Sequence, residues 1–373
     1  MQSPAEEHRF PCRQCGADLR FAPGEGKLIC DHCGYEEPVA VAGRGHQPIP
    51  ETAFRRGLRE ALPEAEIEIA RYSKCPNCGA EVRFDPAVHA AECPFCATPV
   101  VADTGESRHI KPKGVLPFVV TEAEARAAMT KWLGSLWFAP SGLVDYARKG
   151  RALTGIYVPY WTFDADTVSS YSGQRGTIYY EMQRVHVRDA QGRRKSENRR
   201  VAKVRWTPVS GRVARFFDDI LVLASHALPK RHTDALDPWD LSRLAPYNPE
   251  YLAGFRAEGY TVSLDLGMAE ARARMDRMIE RDVRFDIGGD RQQIQSIETS
   301  VSGATFKHIL LPVWTAAYRY RGKSFRFVVN GQTGRVTGER PWSAIKITVA
   351  VILSGILVAA GVYLTHVYGQ QGY

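Results

Sequence analysis

Eight cysteines carry the most definite chemistry in this 373-residue sequence, and all eight fall into one pattern written twice. Cys12 and Cys15 are followed by Cys30 and Cys33, then Cys75 and Cys78 by Cys93 and Cys96. In both copies the two C-x-x-C pairs are separated by fourteen residues, and "CRQCGADLRF" is echoed by "CPNCGAEVRF". A C-x-x-C places two sulfurs on one tight turn, and two such turns joined by a short hairpin complete a tetrahedral four-thiolate site. The spacing is that of a zinc ribbon and predicts two Zn2+ ions, although four thiolates also suit a single iron ion. Gly16, Gly34 and Gly79 follow a cysteine pair directly, where a residue free to take positive φ turns backbone N–H groups onto the sulfurs; Ala97 holds the fourth such place. Four cysteines leave no open coordination position, so the expected role of each metal is structural. A disulfide framework is the competing reading, and "MQSPAEEHRF" offers no apolar signal-peptide core that would support it.

Other patterns of catalytic type fail on their own terms. "AYRYRGKS" meets a permissive phosphate-loop expression, but Tyr and Arg fill the place of small residues. The following "FRFVVNGQTG" alternates as a strand up to an Asn-Gly turn, so Gly322 and Lys323 read as a hairpin. No H-E-x-x-H, no G-x-S-x-G and no spare cysteine is present. His226 and His232 with Asp218 and Asp219 match no ligand spacing and read as polar loop residues. No catalytic residue is assigned, and a non-enzymatic protein is expected.

The elements that must position the cysteines are the two ribbons themselves, residues 10–37 and 73–101, joined by a linker over 38–72. In that linker "PETAFRRGLREAL" reads as a short helix and "AEIEIARY" as a strand. After linker-like "VVADTGESRHIKPKG", an α+β domain is expected over about 110–340. Its first element is an amphipathic helix from Thr121 to Trp137, with Thr121 and Glu124 as a capping box and Ala125, Ala128, Met129, Trp132, Leu133, Leu136 and Trp137 on one face. Four strand stretches follow: "GIYVPYWTFDADTVSSYSG", "GTIYYEMQRVHVRD", "RRVAKVRWTPVSG" and "FFDDILVLAS". Helical stretches are expected through "DALDPWDLSRL" and "NPEYLAGFRAEGY", and from about Leu266 to Arg281, before the chain returns to strands. "IYVPYWT" at Ile156 and "ILLPVWT" at Ile309 share four residues in register, which fits two related β units or a common strand-entry pattern.

From Ile347 to Thr365 the chain runs nineteen residues without a charge, a length of about 28 Å as a helix, close to the ~30 Å hydrocarbon thickness of a bilayer. A transmembrane helix over 345–367 is expected, with Trp342, Tyr363 and Tyr368 suited to the interfaces. Arg335, Arg340 and Lys346 precede it and the tail is uncharged, so the positive-inside rule keeps the N-terminal bulk in the cytoplasm. The fold class expected is therefore α+β: two N-terminal zinc ribbons, a mixed cytoplasmic domain and one C-terminal transmembrane helix in the cytoplasmic membrane.

The net charge of +8 is concentrated. Between Arg184 and Arg215 stand eleven Arg or Lys against Asp189 and Glu197, a local +9, which leaves the rest near −1. Each ribbon carries −2, the wrong sign for gripping phosphate backbones. The basic segment suits a solvated hairpin, anionic lipid or an acidic partner, with nucleic acid as the weaker alternative.

The ribbons, "GIYVPYWTFDA", "LPVWTAAYRYRGKSFRFVVNGQTGRVTGERP" and the helix behind them together resemble a family of bacterial membrane proteins with zinc ribbons of the transcription-factor-IIB type. Proteins similar to this are often labelled primosomal helicase-like, a label that the missing nucleotide loop does not support. Some relatives are thought to work with phage-shock-protein-A-like coat proteins, so the resemblance implies an anchoring adaptor with a cytosolic protein partner. Such proteins usually carry one ribbon, and the second ribbon here is a departure.

Overall fold

The computed structural model describes residues 10–39, 49–58, 62–63, 66–83, 90–96, 98–101, 106–140, 153–188, 194–320 and 323–369. It is an α+β structure built around three very long antiparallel strands: β1 (Thr154–Arg188), β2 (Arg194–Leu223) and β3 (Arg291–Tyr320), in the order β2-β1-β3. The sequence divides this region into four separate strand stretches; the structure fuses them into two. The breaks were expected at Gly173–Gly176 and near Gly211, yet the ladder runs through both, pairing Gly173 with Val209 and Gly176 with Trp206. The glycines are there for room. A Cβ at Gly211 would lie 2.5 Å from the Tyr171 hydroxyl, and one at Gly173 would strike the carbonyl of Gln293 on β3.

Helix α1 (Glu122–Ser135) starts as read: Thr121 Oγ1 accepts from the Glu124 N–H, and Glu124 Oε2 accepts from the Thr121 N–H at 2.8 Å. Ala125, Met129 and Leu133 face the core, whereas Trp137 lies beyond the helix and is 78% exposed. Helix α2 (Leu264–Ile287) is longer than expected and buries Ala271, Met275, Ile279, Val283 and Ile287 against the sheet. The helices read through "DALDPWDLSRL" and "NPEYLAGFRAEGY" are only single turns, at Asp234–Leu236, Leu241–Arg243 and Pro249–Leu252. Pro238 interrupts the first stretch, since it has no N–H to give to a longer helix. The linker-like stretch near 101–113 contains a strand, Glu106–Ile110, paired with Ile67–Arg71. β4 (Lys323–Asn330) pairs antiparallel with the end of β3, Tyr320 opposite Lys323, so the "AYRYRGKS" stretch lies in a hairpin as expected, with Gly322 outside the described residues; the Asn-Gly turn then leads from β4 into β5 (Val336–Gly338).

The echoed segments pair with each other. Ile156 lies opposite Val313, and Tyr160 opposite Ile309, an antiparallel arrangement centred on Val158 and Leu311. Each makes the same hydrogen-bond circuit. The Ala224 N–H donates to Pro159 O (3.0 Å), Ala224 O accepts from Thr261 and Val262, and the Trp161 indole donates to Val262 O (3.0 Å). Correspondingly, the Gly331 N–H donates to Pro312 O (2.8 Å), Gly331 O accepts from Val119 and Val120, and the Trp314 indole donates to Val120 O (2.9 Å). Each circuit ends one residue before a helix N-cap, Thr121 for α1 and Ser263 for α2. The helices that follow carry "AEARAAM" and "AEARARM", with Ala125 and Met129 buried in one and Ala271 and Met275 in the other.

Helix α3 (Ala344–Gly369) includes a 21-residue span, Ala344–Leu364, that is long and apolar enough to cross a membrane and is not buried against the rest of the chain. It starts beside the end of α1, where the Ser343 N–H donates to Phe138 O and Lys346 Nζ to Ala139 O at 2.8 Å.

Candidate metal centres

Both sets of cysteines converge. Within each set the four Sγ atoms lie within 4.8 Å of one another. The nearest cross-pairs are Cys12–Cys33 and Cys15–Cys30 at 3.5 Å, Cys75–Cys96 at 3.5 Å and Cys78–Cys93 at 3.6 Å. A tetrahedral zinc with bonds of about 2.3 Å needs sulfurs roughly 3.8 Å apart, so both sites fit a structural Zn2+. The turns are those the spacing requires. The N–H groups of Gly16, Gly34 and Gly79 donate to the carbonyls of Cys12, Cys30 and Cys75, and the three glycines take φ of +77°, +75° and +74°. Ala97, the fourth such place, lies outside the described residues. The backbone N–H of Cys33, then that of His32, hold the Cys30 thiol down at about 6 against its desolvation. Cys93 is held at about 5, chiefly by the Cys78 thiol and then by the N–H groups of Phe95 and Cys96. The shifts within each set are opposed: Cys15 and Cys33 in the first and Cys75 and Cys78 in the second are raised.

The surroundings of the two sites differ. The first ribbon, strands Arg20–Ala22, Lys27–Ile29 and Glu36–Pro38, docks by its Phe21 side, where the ring meets Tyr251 at 5.3 Å and the Phe21 N–H donates to Ala253 O. Cys15 and Cys33 stay exposed. The second ribbon is built into the body: Cys75, Cys93 and Cys96 share one core with Phe95, Val158, Tyr160, Leu223 and Leu311. Val82 bridges Glu258, the Gly259 N–H donates to Glu81 O at 2.9 Å, and Arg256 Nη1 donates to Glu92 O at 3.2 Å.

Two further polar clusters were not read from sequence. At a β-bulge in β1, Asp164 is turned inward and is 4% exposed. Its Oδ1 accepts from the Asp219 N–H at 2.6 Å, and Asp219 itself has a positive φ of 50°. Lys307 Nζ sits among three carboxylates: Asp219 at 2.8 Å, Glu51 at 3.0 Å and Asp164 at 3.8 Å. Burial, then the neighbouring Glu51, raises Asp164 to about 7, while Glu51 is lowered to about 2, first by its hydrogen bond with Asp164. Asp164, Asp218 and Asp219 would group as oxygen ligands, but the ammonium already takes the cation's place. His226 and His232 are elsewhere. The His226 N–H donates to Thr261 Oγ1, and the His232 ring contacts Thr337 Oγ1.

The other cluster lines a cavity of about 20 Å³ between the paired strands Ile67–Arg71 and Glu106–Ile110 and the body, with His109, Glu258, Tyr260 and His308 in its wall. His308 Nδ1 is 2.6 Å from Ile110 O and must donate, which leaves Nε2 bare and buried. Desolvation lowers both His109 and His308 to about 4. In the folded chain these rings bind fewer protons than in the unfolded one between about pH 4 and 6.5. Their contribution to stability is thus whole above pH 6.5 and lost as pH falls through 4. Nitrogen-15 NMR of histidine-labelled protein is expected to show His308 as the neutral Nδ1–H tautomer at pH 5; an imidazolium signal there would contradict the geometry.

Residues 6–37 match the family described as the zinc-finger of RNA-polymerase I-specific TFIIB, Rrn7. Over 356 residues the chain is 26% identical to the uncharacterized protein YdjG of Bacillus subtilis strain 168, covering 95% of both chains. No solved structure matches.

Proposed function

We propose that this chain is a non-enzymatic, membrane-anchored zinc-binding adaptor that recruits or scaffolds cytosolic protein at the inner face of the cytoplasmic membrane. The observation that carries the reading is the wholly unburied apolar helix α3, set directly against a body in which both metal sites are closed by four cysteines. A helix of this kind costs solubility unless lipid or a partner helix surrounds it. Arg335, Arg340 and Lys346 on the near side of α3 support the cytoplasmic orientation, and Arg340 stacks over Trp342 at 4.3 Å, a pairing suited to the headgroup layer. Closed thiolate sites support a structural and not a catalytic use of metal. The resemblance noted above suggests a coat protein of the phage-shock-protein-A type as the recruited partner.

The test is affinity capture of the full chain from detergent-solubilised membranes, beside a variant with Ile352, Leu353 and Leu357 changed to lysine. The intact chain is expected in the membrane pellet with a reproducible protein partner, and the variant in the supernatant without it. An intact chain that stays in the supernatant after high-speed sedimentation, or membranes that yield no partner, would sink the proposal. A second reading, an accessory of transcription or replication, is favoured by the match of residues 6–37 to a polymerase-associated ribbon. It predicts salt-sensitive retention of DNA or RNA by the intact chain.

A further inference from the structure

Beyond Gly176 the third strand has ended, and β1 and β2 continue as a two-stranded arm for twelve residues of β1, about 40 Å. Among the described residues no helix lies over it: α2 ends at Ile287, packed against Gly173 opposite Val209. Throughout its length β2 is an edge strand, pairing among the described residues with β1 alone. Such an edge presents alternating N–H and C=O groups to any strand that fits, and a bare two-stranded ribbon is only marginally stable.

The two faces of the arm differ. Cross-strand pairs put Tyr179 beside Lys203 and Gln183 beside Arg199 on one face, with Arg205 5.2 Å over the Tyr179 ring and Lys203 paired with Glu181. The other face pairs Ile178 with Val204 and Met182 with Arg200, whose guanidinium lies 4.0 Å over Tyr180. Tyr180 and Met182 are 56% and 64% exposed there. Along the inner half of the arm, residues 200–205 of β2, the first face is thus cationic and the second mainly apolar with the stacked Arg200 at its end; farther out both faces are mixed, with Glu197 opposite Val185 on the first and Arg184 opposite Asn198 on the second.

Three candidate occupants meet this surface badly. A second copy of β2 centred anywhere from Arg199 to Arg205 would set like charges opposite one another. An anionic bilayer touches one face and leaves the edge backbone unmet. A nucleic acid's phosphates accept hydrogen bonds but donate none, so the edge carbonyls stay unpaired. A polypeptide strand has both donors and acceptors, and its side chains fall alternately on the two faces. We infer that the β2 edge over residues 196–208 docks an extended acidic polypeptide segment by strand addition, its acidic residues toward Arg199, Lys203 and Arg205 and its alternate apolar residues toward Tyr180, Met182 and Val204.

The inference gives the recruiting role proposed above its surface and its ligand chemistry, and it rests on that role. The test uses the full chain in detergent and a synthetic peptide of alternating Glu and Val long enough to span the arm. Binding by fluorescence anisotropy should fall at least about tenfold in the R199E/K203E/R205E variant, whose side chains are on the surface and whose fold is checked by circular dichroism. Hydrogen exchange should slow at alternate amides of β2 on binding, which only strand pairing produces. A peptide of the same composition with Glu and Val in separate blocks should bind weakly and protect nothing. Equal binding of both peptides, absence of alternate protection, or β2 protection by anionic vesicles or duplex DNA in place of the peptide would each overturn the inference. If the triple variant still captures the cellular partner from membranes, the adaptor role stands and this edge is not its surface. If the peptide binds as expected but membranes yield no partner, the edge chemistry stands and the adaptor role falls.

Discussion

Replacement of Cys93 by serine is expected to abolish the folded body of this protein, while replacement of Cys15 and Cys33 together leaves the body folded. Both changes remove ligands from a four-cysteine site with the same spacing, so the difference must come from what each site holds. Cys93 is 2% exposed and packs in one core with Phe95, Val158, Tyr160 and Leu311, at the Thr154 end of the β1–β3 pairing. Structural zinc contributes roughly 10–16 kcal/mol of apparent binding free energy in ribbon-like peptides, against about 5–15 kcal/mol for the net stability of a whole domain. Loss of the second zinc therefore removes more than the body has to spare. Cys15 and Cys33 line the outer side of a small ribbon attached through Phe21 and Gly24, and its unfolding can stay local. Chelator titration followed by zinc release and far-ultraviolet circular dichroism should show two steps, the first without loss of β signal. A single step, or a C93S chain with an unchanged melting temperature, would show the two sites to be equivalent.

Replacement of Lys307 by methionine is expected to cost about 3–5 kcal/mol at pH 8, the range for removing one partner of a buried ionic cluster. The methionine fills the same volume, but Asp164, Asp219 and Glu51 lose the only ammonium among the described residues at their centre. The cost should shrink toward pH 5. Asp164 sits near 7 already, above its unfolded value, so the folded chain binds the extra proton as pH falls from 7 toward 4 and gains stability relative to the unfolded one. Without Lys307 this uptake begins at higher pH still. Glu51, held near 2, does not titrate between pH 5 and 8, and the histidine contributions cancel in the difference between the two proteins. Urea unfolding at pH 5 and 8 measures the effect. Adding Asp164→Asn to the variant should recover part of the loss at pH 8; no recovery would mean that the cost is packing and not charge.

The metal ligands were legible because their chemistry is local: a knuckle is set by four residues and a glycine, and the spacing between knuckles repeats. The capping box at Thr121 and the Asn-Gly turn at Asn330 were legible for the same reason. What the sequence concealed was set by partners far along the chain. Gly173 and Gly211 look like turn residues, and only the presence of Gln293 and Tyr171 beside them shows that they make room within continuous strands. Asp164 and Lys307 are 143 positions apart and meet only because a bulge rotates one carboxylate inward. Trp206 is the one aromatic residue of the basic stretch itself; Tyr179 and Tyr180 lie on the opposite strand, where pairing brings them under Arg205 and Arg200. The second ribbon was expected to be as separate as the first, and its burial depends on Val158, Tyr160 and Leu223, none of which lies near it in sequence.

The 35 residues of β1 amount to as much as about 115 Å of stiff strand. Helix α3 starts close to one end of it: β5, six residues before α3, pairs with β4, and β4 through β3 with the first residues of β1. The turn of the arm is at the other end. In the adaptor reading proposed above, a partner held at the arm would stand at a set offset from α3, on a lever several times longer than the ~30 Å hydrocarbon core of a bilayer.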